Sequence, residues 1–163
     1  EKRRLRQCQV FIAFRGRDTR YGFAAYLYIR LVAAKIRVFY DDDTSIVGKE
    51  VGKELINAIK HCKISIPIVS PNFASSAWCL SELNYMLSCK KEKGQKILPI
   101  FYKVNPSDVQ HLSPCFEKHL HRHEAFYGRD ISECWKHALK EVGSFKGWES
   151  EKIANGYLLL SFT

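Results

Sequence analysis

Short apolar runs alternate along the chain with longer segments whose apolar residues recur at helical spacing. The runs are QVFIAF (9–14), IRVFY (36–40), ISIPIV (64–69) and KILPIFY (96–102), each dense in Val, Ile and aromatics and each predicting a strand. Between them, RYGFAAYLYIRLVAAK (20–35) carries Phe23, Leu27, Ile29 and Leu31 near helical spacing. GKEVGKELINAIKHC (48–62) carries Val51, Leu55 and Ile59, and SSAWCLSELNYMLSCKKEK (75–93) carries Leu80, Leu83 and Leu87. Each predicts a helix with one apolar face. Two more helical segments, 112–126 and 130–145, follow a turn at Asn105-Pro106-Ser107-Asp108, and KGWES (146–150) predicts a short fifth strand.

Alternation of strand and helix predicts a parallel sheet with helices on both faces, in a three-layer α/β/α arrangement. The strands lack strict in/out alternation, as expected when both faces are buried. Pro67 and Pro99 fit this badly, because proline cannot donate to a sheet ladder. The last residues also break pattern: Asn155-Gly156 interrupts a helical start, and a glycine costs a helix interior about 1 kcal/mol.

With 163 residues and 46% hydrophobic content, one well-packed domain is expected. No run approaches the roughly 20 apolar residues of a membrane span, and no apolar stretch follows the basic N-terminus in the manner of a secretion signal. The six cysteines form no Cys-x-x-Cys pair and read as reduced thiols, which suits a cytoplasmic setting with no membrane partner. The formal charge of +9 favours an anionic partner without choosing among a dinucleotide, a nucleic acid and an acidic lipid surface. Much of it lies in KRRLR and KKEKGQK, which read as solvated flanks, so nucleic-acid binding stays a minor alternative.

In an open parallel sheet every strand points its C-terminal end to one edge, where ligands bind. RGRDTR (15–20), DDD (41–43) and SPNFASSAWCLSE (70–82) follow the first three strands and converge there. Trp78 and Glu82 stand at i, i+4, on one helix face and away from the stripe of Leu80, Leu83 and Leu87. Two readings of that pair are open. In one, Glu82 answers the helix macrodipole and Trp78 staples the preceding loop; in the other, the pair faces a ligand crevice. The rim excludes other doubly wound functions, because RGRDTR has too few glycines for a phosphate-binding loop and the third strand ends in Ser70-Pro71 rather than a phospho-acceptor aspartate.

A rival reading concerns CFEKHLHRH, which sets Cys115, His119 and His123 on one helical face. Such spacing suits zinc, but no fourth ligand is indicated, and the expectation is no metal, with Cys115 in the core and the histidines at its solvated margin.

FRGRDTR, FYDDD, the Gly48 loop, ISIPIVSPNFASSAWCLSEL and LPIFYKVNPSDVQH occur in this order, and together they resemble a plant-type Toll/interleukin-1 receptor (TIR) domain, as at the N-terminus of plant intracellular immune receptors. The resemblance runs from about Gln9 to Trp148. It divides the chain into a basic flank (1–8), a TIR domain (9–154) and an atypical tail (155–163). It implies a flavodoxin-like fold with a five-stranded parallel sheet, and hydrolysis of NAD+ to nicotinamide and ADP-ribose or a cyclic or variant form, with NAD+ as substrate and no cofactor.

It further implies plant immune signalling through homotypic self-association and downstream immune proteins, in the cytoplasm, with the nucleus as a second location open to it. A catalytically weak adaptor or scaffold is the alternative. In the family the glutamate of the W-C-x-x-E-L motif is catalytic, which places that role on Glu82. The binding set implied is Arg15, Gly16, Arg17, Asp18, Thr19, Arg20, Ser76 and Trp78. Arg15 suits the diphosphate or adenosine side, Trp78 suits stacking against the nicotinamide-ribose pocket, and Ser76 has capping or ribose binding open to it.

The chain departs from the family's habit at four places. Arg17 stands where an acidic residue is common, Val47 where a basic residue precedes the loop glycine, and Ala25-Tyr26 where some members carry a Ser-His pair. The fourth is Asn155-Gly156 in the last helix.

Overall fold

The computed structural model describes residues 8–19, 22–40, 53–150 and 152. Its strands are β1 (Val10–Phe14), β2 (Val38–Tyr40), β3 (Ile64–Val69), β4 (Lys96–Ile97), β5 (Ile100–Phe101) and β6 (Trp148–Glu149). The helices are α1 (Gly16–Thr19), α2 (Phe23–Ala33), α3 (Lys53–His61), α4 (Ala77–Lys93), α5 (Pro106–Gln110), α6 (Pro114–Tyr127) and α7 (Arg129–Ser144), with a 3-10 turn at Phe73–Ser75. The predicted DDD cluster, Val47, the Gly48 loop, Arg20 and the Asn155-Gly156 tail lie outside the described residues.

All strand pairings are parallel, in the order β2-β1-β3-β5-β6, with β4 also on β3. β1 is buried along its whole length because it feeds two cores. Phe11 and Ala13 join the larger cluster with side chains of α3 to α7, while Val10, Ile12 and Phe14 join a second cluster with Ala24, Phe23, Leu27 and Leu31 of α2. The unbroken apolar run thus reflects two helical layers, as expected, with α2 the helix of the second layer among the described residues.

The run 96–102, expected as one strand, is two short ones on a single line. Ile64 pairs with Lys96 and Ile68 with Ile100 at the same offset, so the sheet is five positions wide. The break has a physical cause in the prolines. The carbonyls of Ser65 and Val69 accept from Leu98 N and Tyr102 N, both at 2.9 Å, so alternate residues of β3 turn their polar groups toward this line. Pro67 falls in that alternation and has no N–H to offer there, and the interruption at Leu98-Pro99 lies opposite. Pro99 turns the other way: its carbonyl accepts from Trp148 N at 3.0 Å, at the start of the edge strand β6. A central proline is therefore accommodated at the one place where the neighbouring ladder is broken.

Local signals set the helix ends. Ser76 caps α4, its Oγ accepting from Cys79 N at 3.2 Å, and Gly94 closes the helix at φ 68° with its N–H on Lys90 O. That left-handed conformation suits glycine. Asn105-Pro106-Ser107-Asp108, expected as a turn, opens α5: Asn105 Oδ1 accepts from Ser107 N at 3.1 Å and Pro106 takes the first helical position. α2 starts after Gly22, three residues later than its sequence segment. Among the described residues no helix is long and apolar enough to cross a membrane.

α5 and α7 meet at Gly143, where an added Cβ would stand 2.4 Å from Gln110 N and 2.7 Å from Gln110 Cα. Backbone cannot yield as a flexible side chain can. Gly143→Ala is therefore expected to destabilise the fold by about 1–3 kcal/mol, read as a lower urea midpoint with an unchanged slope.

Candidate functional site at the C-terminal edge of the sheet

β1 delivers Arg15 and the short helix α1 to the C-terminal edge, and β3 delivers Ser70. Asp18 ties these two segments together. Its Oδ2 accepts from Ser70 Oγ at 2.6 Å and from Asn72 N at 3.0 Å, and its Oδ1 accepts from Asn72 Nδ2 at 3.2 Å. Thr19, buried, donates its hydroxyl proton to Arg15 O at 3.3 Å, and the N–H groups of Asp18 and Thr19 also reach that carbonyl. Asp18 and Thr19 thus serve the loop's own shape. Gly16 opens α1 and Arg17 follows it in the same turn.

α4 approaches the same edge through its first turns. Cys79 Sγ donates to Phe14 O at 3.5 Å, which anchors the helix start to the last residue of β1. Trp78 is half-buried and packs against the larger core cluster. Glu82 is only 2% exposed. The macrodipole reading does not account for it: α4 begins at Ala77 and has no acidic residue in its first turn, whereas the dipole's effect fades beyond that turn. Spacing places Glu82 one turn beyond Trp78. Its burial is the feature that spacing did not reveal, and a nearly buried carboxylate is costly unless it is compensated, which marks Glu82 as a candidate functional group.

Arg15 is half-buried, and its Nε is buried without a hydrogen-bond partner among the described residues. His119 of α6 is a residue that sequence reasoning placed elsewhere. It is 7% exposed, its Nε2 has no hydrogen-bond partner among the described residues, and Cys115 on the same face is exposed. The expected arrangement of buried Cys115 and solvated histidines is therefore reversed at these two residues. Cys115 Sγ is directed at Pro71 O at 3.6 Å, and His123 Nε2 donates to Ala74 O at 2.8 Å. Among the described residues no group of three His, Cys, Asp or Glu side chains is arranged to hold a metal ion. Burial, then the positive charges of Lys118, Arg122, His123 and Arg15, hold the His119 imidazole below its ordinary pKa. Arg15 in that set places α6 within electrostatic reach of the rim. Ser70 and Asn72 were also not singled out, although small polar residues directly after a strand are a usable signal for loop ties.

A family model for the TIR domain matches residues 7–160. The chain is similar to TMV resistance protein N of Nicotiana glutinosa, 39% identical over 140 residues that make up 85% of this chain and 12% of that protein. It is also similar to disease resistance protein RPV1 of Vitis rotundifolia, 38% identical over 139 residues, 85% of this chain and 10% of that protein. The chain therefore spans only a small part of the length of these relatives. Among solved structures it is similar to the TIR domains of the activated Roq1 resistosome directly recognizing the pathogen effector XopQ, with a TM-score of 0.85 and 31% identity over 95% of this chain and 96% of that one.

Two outcomes follow from the geometry. Asp18→Ala leaves the buried Ser70 hydroxyl and the Asn72 amide without their acceptor and is expected to cost about 1–3 kcal/mol, measurable by denaturant unfolding. His119 takes up a proton more readily in the unfolded chain than in the folded one. The stability this reflects is complete above the ordinary histidine value of 6.5 and is lost as pH falls toward the depressed folded value. The thermal midpoint is expected to fall between pH 7.5 and 5.5, and to fall less in His119→Leu.

Proposed function

Because the chain belongs to the TIR domain family, we propose that it is an NAD+ glycohydrolase that signals in plant immunity and is activated by self-association. The observation that carries the proposal is Glu82, a carboxylate 2% exposed in the second turn of α4, set at the sheet edge beside Trp78.

A lone carboxylate suits this substrate. Glycosidases acting on an alkoxide leaving group use two, one of them to protonate it. Nicotinamide is already cationic in NAD+ and departs as a neutral base, so no general acid is needed. Glu82 holds the ribose hydroxyls and stabilises the positive charge that develops on the sugar as the bond breaks. Water, or a nucleophilic oxygen or adenine nitrogen of the substrate itself, then bonds to the anomeric carbon, giving ADP-ribose or a cyclic or variant form.

The remaining residues divide by what they are free to do. Arg15 meets the diphosphate, with Gly16 admitting its backbone closely, and Arg17 and Arg20 add positive charge along the loop. Trp78 offers a ring face to the nicotinamide ribose. Ser76 accepts from Cys79 N and keeps its own hydroxyl proton for a ribose oxygen. Asp18 and Thr19, being engaged within the loop, act by positioning Arg15. The partners of this reading are NAD+, further copies of the domain and downstream immune signalling proteins.

A second reading, a homotypic scaffold without catalysis, is favoured by one observation. α2 exposes Ile29 at 62% and Val32 at 46%, an apolar outer face that another copy would cover.

The test is nicotinamide release from NAD+ at high protein concentration. Wild-type chain is expected to release it, and Glu82→Gln and Glu82→Ala are each expected to lose at least about 100-fold with unchanged circular dichroism. Release that persists in Glu82→Gln would overturn the catalytic assignment. Wild-type chain that associates but releases nothing belongs to the scaffold reading.

A further inference from the structure

The pairing of β1 with β3 continues past the strands' first residues. Gln9 O accepts from Lys63 N at 3.0 Å and from Ile64 N at 3.1 Å, so the residues just before this bonded pair, Cys8 and Cys62, stand side by side. Both pack against the larger core cluster, Cys62 within it at 1% exposure and Cys8 at its margin. Neighbouring strands run about 4.8 Å apart, inside the roughly 4.4–6.8 Å between Cα atoms that a disulfide spans. Both are reduced thiols, and their side chains are hydrogen-bonded to each other.

We infer that Cys8 and Cys62 are an oxidation site, a thiol pair that a hydroperoxide closes to an intramolecular disulfide joining the start of β1 to the end of α3.

The two thiols have unequal parts. Burial, and then the neighbouring Cys8, push the Cys62 thiol up to about 12, so Cys62 is a poor first nucleophile. Cys8, half-buried, is the one that an oxidant reaches. Its sulfur attacks one peroxide oxygen, the O–O bond breaks, and water leaves, with Cys8 oxidised to the sulfenic acid. The Cys62 sulfur then attacks the Cys8 sulfur, the S–O bond breaks, and hydroxide leaves with the Cys62 proton as a second water. Two thiols and one hydrogen peroxide thus yield one disulfide and two waters. The exposed thiols of Cys115 and Cys134 are the chain's internal competitors for the oxidant.

The experiment treats two forms of the chain, wild type and Cys115→Ser/Cys134→Ser, with a small excess of hydrogen peroxide. Each is then unfolded in acid-quenched N-ethylmaleimide and mapped by mass spectrometry. The expected result in both is a peptide pair joined through Cys8 and Cys62, two hydrogens lighter than its parts. It should be reversed by dithiothreitol and absent from Cys62→Ser. The oxidised chain should melt roughly 5–10 °C higher than the reduced chain. Recovery of Cys8 and Cys62 both alkylated, or of Cys8 as sulfinic acid beside an intact Cys62 thiol, would overturn the inference.

Discussion

Everything at the candidate site depends on the pairing of β1 with β3. Five consecutive residue pairs, from Val10 with Ile64 to Phe14 with Ile68, hold two strands that are buried on both faces almost throughout. A one-residue slip would send every side chain to the opposite layer, exchanging Phe11 and Ala13 with Val10, Ile12 and Phe14 between two cores of different shape. The register is therefore strongly specified, and with it the height at which Arg15 and Ser70 leave the sheet. α4 is then fixed against the same pair through Cys79 and the carbonyl of Phe14.

The two layers that enforce this register are unequal. The larger core receives side chains from α3 to α7, whereas the second is built with α2. Beyond the loops that follow β1 and β3, the candidate site draws on the thick side, with Trp78 and Glu82 on α4 and His119 on α6. The apolar surface that remains exposed on α2 belongs to the thin side. α4 and the exposed apolar face of α2 thus lie in different helical layers.

Sequence patterns disclosed the elements that are long or doubly buried. The runs at 9–14 and 64–69 became β1 and β3 nearly residue for residue, because burial on two faces leaves a continuous apolar signature, whereas the run at 36–40 shortened to the half-buried β2. Short elements were less legible. α1 and α5 have too few residues for a helical period, and Asn105-Pro106 reads equally as a turn or as a cap followed by a first helical residue. The split of 96–102 depended on Pro67, a residue on a different strand. At the site, the i, i+4 relation of Trp78 and Glu82 was readable from spacing. The depth of Glu82 was not, since burial is decided by what packs over the helix. Cys115 and His119 show the same limit: helical spacing put them on one side of α6, but only the packed structure decided which of them was covered.

The Asp18 tie has a consequence for affinity. Ser70 and Asn72 bind a carboxylate 52 and 54 positions away in the chain, so the loop carrying Arg15 and the loop leading into α4 share one anchored frame before any ligand arrives. The entropy of ordering these segments is spent when the chain folds. A ligand received on this rim then loses less of its contact energy to freezing the protein, and more of that energy appears as binding.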